Sequence, residues 1–144
     1  MRKFGLIVCF LFSINLYSFE VNLSCDLDYR TVCLDKDCKT YRVYEDDNIQ
    51  PRTVGISLVG SGNSAVLTID EVKIVVEKKG NEFSHTYKDV EFGYGQGTFM
   101  GDISTILNIV SRKLYITRDN IQGDNVMFNT EDVSSCTEVT NLLD

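Results

Sequence analysis

Tryptophan is absent from the 144 residues, and histidine and proline occur once each, as His85 and Pro51. A lone histidine leaves little room for His-based metal sites or Ser-His-Asp chemistry. One proline and ten glycines exclude collagen-like and Pro-rich low-complexity chains. Basic residues are also scarce, 14 Lys+Arg against 21 Asp+Glu, for a formal charge of −7. Nucleic-acid recognition needs a basic face to displace phosphate counterions, so no nucleic-acid partner is expected. What is present is 43% hydrophobic and 24% charged. That balance is too apolar for a disordered chain and suits one globular domain.

The N-terminus reads Met1-Arg2-Lys3, then an apolar run from Phe4 to Phe12 that fades by Tyr17. A basic start before a short apolar run is the pattern of a secretory signal peptide. Ser13 and Asn15 interrupt the run below the length of a membrane span, so no span is expected after cleavage. The expected division is a signal peptide over 1–18 and one domain over 19–144, periplasmic or secreted. Residues 19–144 keep 12 basic and all 21 acidic residues, a charge of −9.

Cys9 lies inside the apolar run, which leaves Cys25, Cys33, Cys38 and Cys136. An even number in an exported domain implies disulfides. The favoured pairing is Cys33–Cys38 with Cys25–Cys136. The first would close a turn-rich loop, and the second would tie the first strand to the last segment. The rival is Cys25–Cys38 with Cys33–Cys136. Zinc is not expected, because no second close pair accompanies Cys33 and Cys38 and His85 is distant in sequence.

Apolar residues alternate along the chain with period two. Phe19, Val21 and Leu23 share one face of a first run. Similar sets follow at Val54/Ile56/Leu58, Ala65/Leu67/Ile69, Val72/Ile74/Val76, Phe83/His85/Tyr87 and Val90/Phe92/Tyr94. Thr105/Leu107/Ile109, Leu114/Ile116 and Val126/Phe128 continue the series. Turn residues fall between them at Gly60–Asn63, Lys78–Asn81 and Asn120–Asn125. The expected fold is all-β, an antiparallel barrel or sandwich of about eight strands. Residues 102–112 read as strand, with a helix capped by Asp102 as the competing reading. The acidic stretch from Glu131 to Asp144 reads as a short helix or a loose tail beyond Cys136.

His85 reads as a partly buried strand histidine rather than a general base. Gly60-Ser61-Gly62 is not a nucleophile elbow. Gly93-Tyr94-Gly95-Gln96-Gly97 reads as a bulge within a strand, or as an exposed aromatic loop offering Tyr94 and Phe99 to a partner. Acidic residues cluster at Asp26/Asp28, Asp35/Asp37 and Glu45-Asp46-Asp47. The calcium-loop pattern fails, since Thr40 stands where a loop starting at Asp35 needs glycine, so they read as a solvated face. No catalytic residue, cofactor or metal is expected.

The order of signal, Cys25, Cys33-x4-Cys38, strands and Cys136 resembles small exported β-rich bacterial proteins that carry a Cys-x4-Cys loop. Thr105–Leu114 is similar to a recurrent hairpin in them, with Ser111-Arg112 in place of Thr-Gly. The resemblance implies no activity. Locally, Cys33-Leu34-Asp35-Lys36-Asp37-Cys38 resembles the loop of a periplasmic inhibitor of vertebrate-type lysozyme. Between its cysteines that loop carries Lys-Pro-His-Asp; Asp37 matches in place, and Lys36 stands where the His would be.

The expected function is an exported, non-enzymatic binding protein with a protein partner, in its sharpest form an inhibitor of a basic hydrolase such as lysozyme. Acidity would steer it to a cationic partner. Asp35, Asp37, Tyr94 and Phe99 are the candidate contacts. The alternatives are a lipocalin-like carrier of a small apolar ligand, which the missing Gly-x-Trp signature disfavours, and a small hydrolase, which the lone His85 disfavours.

Overall fold

A computed structural model describes residues 18–94, 97–122 and 127–140. These residues form nine antiparallel strands and no helix: β1 (Ser18–Leu34), β2 (Asp37–Arg42), β3 (Thr53–Ser61), β4 (Ser64–Ile69), β5 (Val72–Lys79), β6 (Glu82–Tyr94), β7 (Gly97–Asn108), β8 (Lys113–Gln122) and β9 (Met127–Glu138). Each strand from β3 onward pairs with the next, and β1 pairs with both β3 and β9. Eight strands thus close a barrel, and β2 is the extra one. Closure removes most of the unpaired edge that an open sheet of this size would expose.

β1 is the organising strand. Ser18 to Asp26 pair with β3, while Tyr29 to Leu34 pair with β2 along the same edge. The change of neighbour falls at a bulge between Leu27 and Tyr29, where the extra residue bends and twists the strand. On its other edge β1 pairs with β9 from Leu23 to Leu34.

The strands are unequal, and this divides the barrel. β3, β4 and β5 have nine, six and eight residues, whereas β6 has 13 and β1 has 17. β5 meets β6 only from Glu77↔Ser84 to Lys79↔Glu82. Beyond those three pairs β6, β7, β8, β9, β1 and β2 run on without β3 to β5 opposite them. The molecule therefore has a closed body and an open end.

The body is filled. Leu23, Cys25, Val54, Ile56, Leu58, Leu67, Val76, Phe83, Leu107, Leu114 and Cys136 form one buried cluster, with Leu58, Leu67 and Leu107 fully buried. These are the inward positions of the period-two alternation, so the expected faces are the observed ones. Cys25 and Cys136 are register partners on β1 and β9 and are disulfide-bonded across them. Cys33 and Cys38 close the turn between β1 and β2. The rival pairing is excluded, and the all-β barrel is the expected fold.

Two expectations change, and a third, the strand reading near Asp102, holds over its competitor. Gly93 to Gly97 is not a mid-strand bulge: Tyr94 ends β6, Gly97 begins β7, and the two are register partners. Gly95 and Gln96 between them lie outside the described residues. The bulge of β6 lies earlier, between Tyr87 and Val90. Glu131 to Glu138 is strand rather than helix or tail, because its inward parity of Thr130, Asp132 and Ser134 is polar and hides the alternation. Residues 102–108 are strand and 109–112 a turn, so Asp102 caps no helix.

Candidate functional site

The inner face of the open end carries two cross-strand rows. His85, Thr105, Ile116, Asp132 and Arg30 form the first; Tyr87, Ile103, Arg118, Thr130 and Val32 form the second. Asp132 is buried, and two arginines converge on it. Arg30 forks the carboxylate, with its Nη2 2.7 Å from Oδ2, and Arg118 Nη1 approaches the same oxygen at 3.3 Å. Burying one carboxylate and partly burying two guanidinium groups is costly, and a shared carboxylate repays it only with good geometry. The triad therefore marks a place where local stability has not been maximised.

Above the rows lies an aromatic wall. Phe99 meets Phe128 edge-on at 5.6 Å, and the Arg118 guanidinium stands 5.9 Å from the Phe92 ring. Ile121, fully buried, pairs with Phe128, and Leu34 pairs with Phe128 from the other side. Local backbone chemistry sets this wall. β6 bulges at Lys88–Asp89 and β8 at Asp119–Asn120, where Asp89 and Asn120 take φ of 51° and 53°. Asp102, on β7 between them, accepts from Lys88 Nζ at 2.9 Å, from the Asp89 N–H at 3.0 Å and from Asn120 Nδ2 at 3.3 Å. The Lys88 hydrogen bond, then the Asp89 N–H, outweigh desolvation and hold the Asp102 carboxyl below the usual range. Beside it a Cβ on Gly101 would stand 2.8 Å from the Asp119 carbonyl, so the bulged crossing requires glycine there.

The connection 43–52 covers the β1 side of the opening. Its ends are tied to the β1 bulge by Val43 N–H to the Asp28 carbonyl at 3.0 Å and Leu27 N–H to the Arg52 carbonyl at 2.9 Å. Val43 and Ile49 are buried against Leu27. Tyr44, beside them, is 89% exposed at φ 69°, a conformation rare for a bulky side chain. It borders an outer cleft of about 540 Å³ that includes Asp28, Lys113 and Ser135. Lys113 donates to Asp28 and Ser135 at 2.9 and 2.6 Å, and Ser135 donates to Asp28 at 2.6 Å. A serine–lysine dyad needs a lysine buried away from carboxylates, so this reads as an ion-pair network.

The expected contact residues come together only in part. Asp35, at φ 52°, and Asp37 are exposed on the clamped β1–β2 turn. Leu34 beside them pairs with Phe128, which touches Phe99, so turn and aromatic wall share one rim. Phe99 is half-buried on the inner face rather than on a projecting loop. The Tyr94 side chain lies outside the described residues. His85 is half-buried and edge-on to Tyr87 at 4.2 Å, as expected of a strand histidine. Arg30, Arg118, Thr130, Asp132 and Tyr44 were not legible as a site. Arg30 and Arg118 stand 102 and 14 residues from Asp132, a spacing that shows no motif, and only the strand register brings the first four together.

Comparison of the chain with protein-family models, with curated proteins and with solved structures finds no match.

Proposed function

We propose that the chain is an exported, non-catalytic binding protein that engages a protein partner with its open end. One observation carries the reading: the rim joins an exposed, disulfide-clamped acidic turn, Asp35 and Asp37, to a half-buried aromatic wall. Rigid acidic tips beside aromatic surface supply steering and contact area together. Paired cysteines of this kind belong to oxidising compartments, which supports a periplasmic or secreted setting. With −9 on residues 19–144, the favoured partner is cationic. Inhibition of a basic hydrolase such as lysozyme is the sharpest form.

The filled body supports this reading over a lipocalin-like carrier, since side chains occupy that part of the barrel. The packing of His85 on Tyr87 supports it over a hydrolase.

The test is a lysozyme activity assay with the disulfide-intact protein across a salt series. Inhibition at micromolar protein that weakens with salt is expected, and Asp35→Asn with Asp37→Asn should reduce it about tenfold. No inhibition at that concentration rejects the lysozyme form. Failure of the wild type to retain any basic protein from an envelope extract rejects the wider reading.

A further inference from the structure

We propose that the open end holds a binding site for a monoanion, a carboxylate carrying an apolar or aryl group, formed by Arg118 and Thr130. The site goes beyond the protein-partner reading and does not depend on it.

Thr130 carries the argument. It is 2% exposed, it stands on the inner face, and its Oγ1 has no hydrogen-bond partner. Buried hydroxyls are nearly always satisfied, and an orphan calls for an explanation. Its direct cross-strand partner is Arg118. That side chain is 17% exposed, and among the described residues its one hydrogen bond is the 3.3 Å contact to Asp132. A guanidinium has five N–H donors in a planar fork. Most of that fork is unspent beside an unspent hydroxyl in the same inward row of the open end.

Charge and shape define the ligand. Two arginines meet at the one Asp132 carboxylate, and Lys39 lines the adjoining cleft, so the site favours an anion. Apolar surroundings disfavour the more heavily hydrated phosphate dianion. The surroundings are apolar: Tyr87, Ile103 and Val32 in the same row, and the Phe92 ring over Arg118. Val32 also lines a cleft of about 440 Å³ with Arg30, Lys39, Tyr41, Asn48 and Ile49, and its apolar side, Val32, Tyr41 and Ile49, gives the tail a place to lie. The body beneath is filled, so the ligand is small and lies shallow.

A free organic acid and the C-terminus of a peptide offer the same carboxylate. Isothermal titration of the disulfide-intact protein therefore compares 3-phenylpropanoate, its neutral amide, inorganic phosphate, and a short peptide ending in a free C-terminal Phe. Binding of 3-phenylpropanoate or the peptide, with the amide and phosphate at least about tenfold weaker, supports the site. The tighter of the two acids identifies the source. Thr130→Val should raise the thermal midpoint, because the orphan is removed, yet weaken the acid about tenfold. Arg118→Lys keeps the charge and should also weaken it, because the fork is lost. The proposal is overturned if no acid binds, if the amide or phosphate binds equally well, or if Thr130→Val gains stability with unchanged affinity.

Discussion

The body and the open end are built from the same strands, yet they follow different rules. In the body, Val54, Ile56 and Leu58 of β3 and Ala65, Leu67 and Ile69 of β4 point inward and are apolar and buried, and a disulfide joins β1 to β9. In the open end the same inward parity carries Arg30, Asp132, Arg118 and Thr130. Bulges in β6 and β8 interrupt the ladders there, and Asp89 and Asn120 hold positive φ within strands rather than in turns. A chain that is consistent in one half and breaks local rules in the other separates stability from recognition.

The two disulfides test that separation most strongly. Cys25–Cys136 spans 111 residues inside the body, and Cys33–Cys38 spans five at the rim. Loop-entropy arithmetic gives nearly 5 kcal/mol for the first and about 2 kcal/mol for the second, both model-dependent upper values. Urea unfolding of Cys25→Ser with Cys136→Ser should show the larger loss. Cys33→Ser with Cys38→Ser should keep the fold and weaken partner binding. Equal losses of stability would break the comparison.

Aromatic truncations come next. Phe83 is 1% exposed in the body, and Phe99 is half-buried in the open end. Phe83→Ala should cost about 4 kcal/mol through transfer and cavity terms. Phe99→Ala should cost about 1 to 2 kcal/mol, because its ring already meets solvent. Denaturant midpoints at constant slope give both values.

The buried triad distinguishes a structural from a functional role. Asp132→Ala leaves two arginines sharing no carboxylate and should cost about 3 kcal/mol. Replacing all three together, Arg30→Met, Asp132→Leu and Arg118→Met, should be close to neutral, or should stabilise the fold by about 1 to 4 kcal/mol. Chemical denaturation of the two proteins decides. A triple variant as unstable as the single one would mean the ion cluster holds the barrel up.

What the sequence revealed follows the same divide. Val54, Ile56, Leu58 and Phe83 announced their strands because body positions alternate cleanly. The favoured disulfides were readable because turn residues lie between Cys33 and Cys38, and because Cys136 sits near the far end of the strand series. β9 was unreadable past Asn129: its inward residues are Thr130, Asp132 and Ser134, so polarity carried no phase, and buried Val133 lies on the opposite parity. Asp102 admitted a capping role because a side-chain carboxylate accepts N–H groups equally well at a helix start or at a bulge. Arg30 and Arg118 carried no signal, since no local pattern reports a partner 102 or 14 residues away along the chain.

The smallest expected effect is a pH dependence tied to the bulges. Asp102 is held below the usual carboxylate range chiefly by its Lys88 hydrogen bond, and Lys88 is raised by that same bond and by the charge of Asp102. For Asp28, desolvation alone would raise the carboxyl, but Ser135 and Lys113, with the charge of Arg42, together lower it. A lowered carboxylate stabilises the fold above its unfolded-state value and loses that contribution as pH falls through the folded-state value, so the acid window lies below about pH 4. A raised lysine acts in the opposite sense, and its contribution is lost as pH rises above about 10.5. Asp102→Asn should flatten both limbs, because it removes the acid and the partner that raises Lys88. Lys88→Met should flatten the alkaline limb fully and the acid limb only in part, since the Asp89 N–H still holds Asp102. Asp28→Asn should flatten the acid limb alone. Urea midpoints between pH 2.5 and 11 read these slopes, and an Asp102→Asn protein with an unchanged alkaline limb would remove the Lys88–Asp102 pair from the account of how the bulges are held.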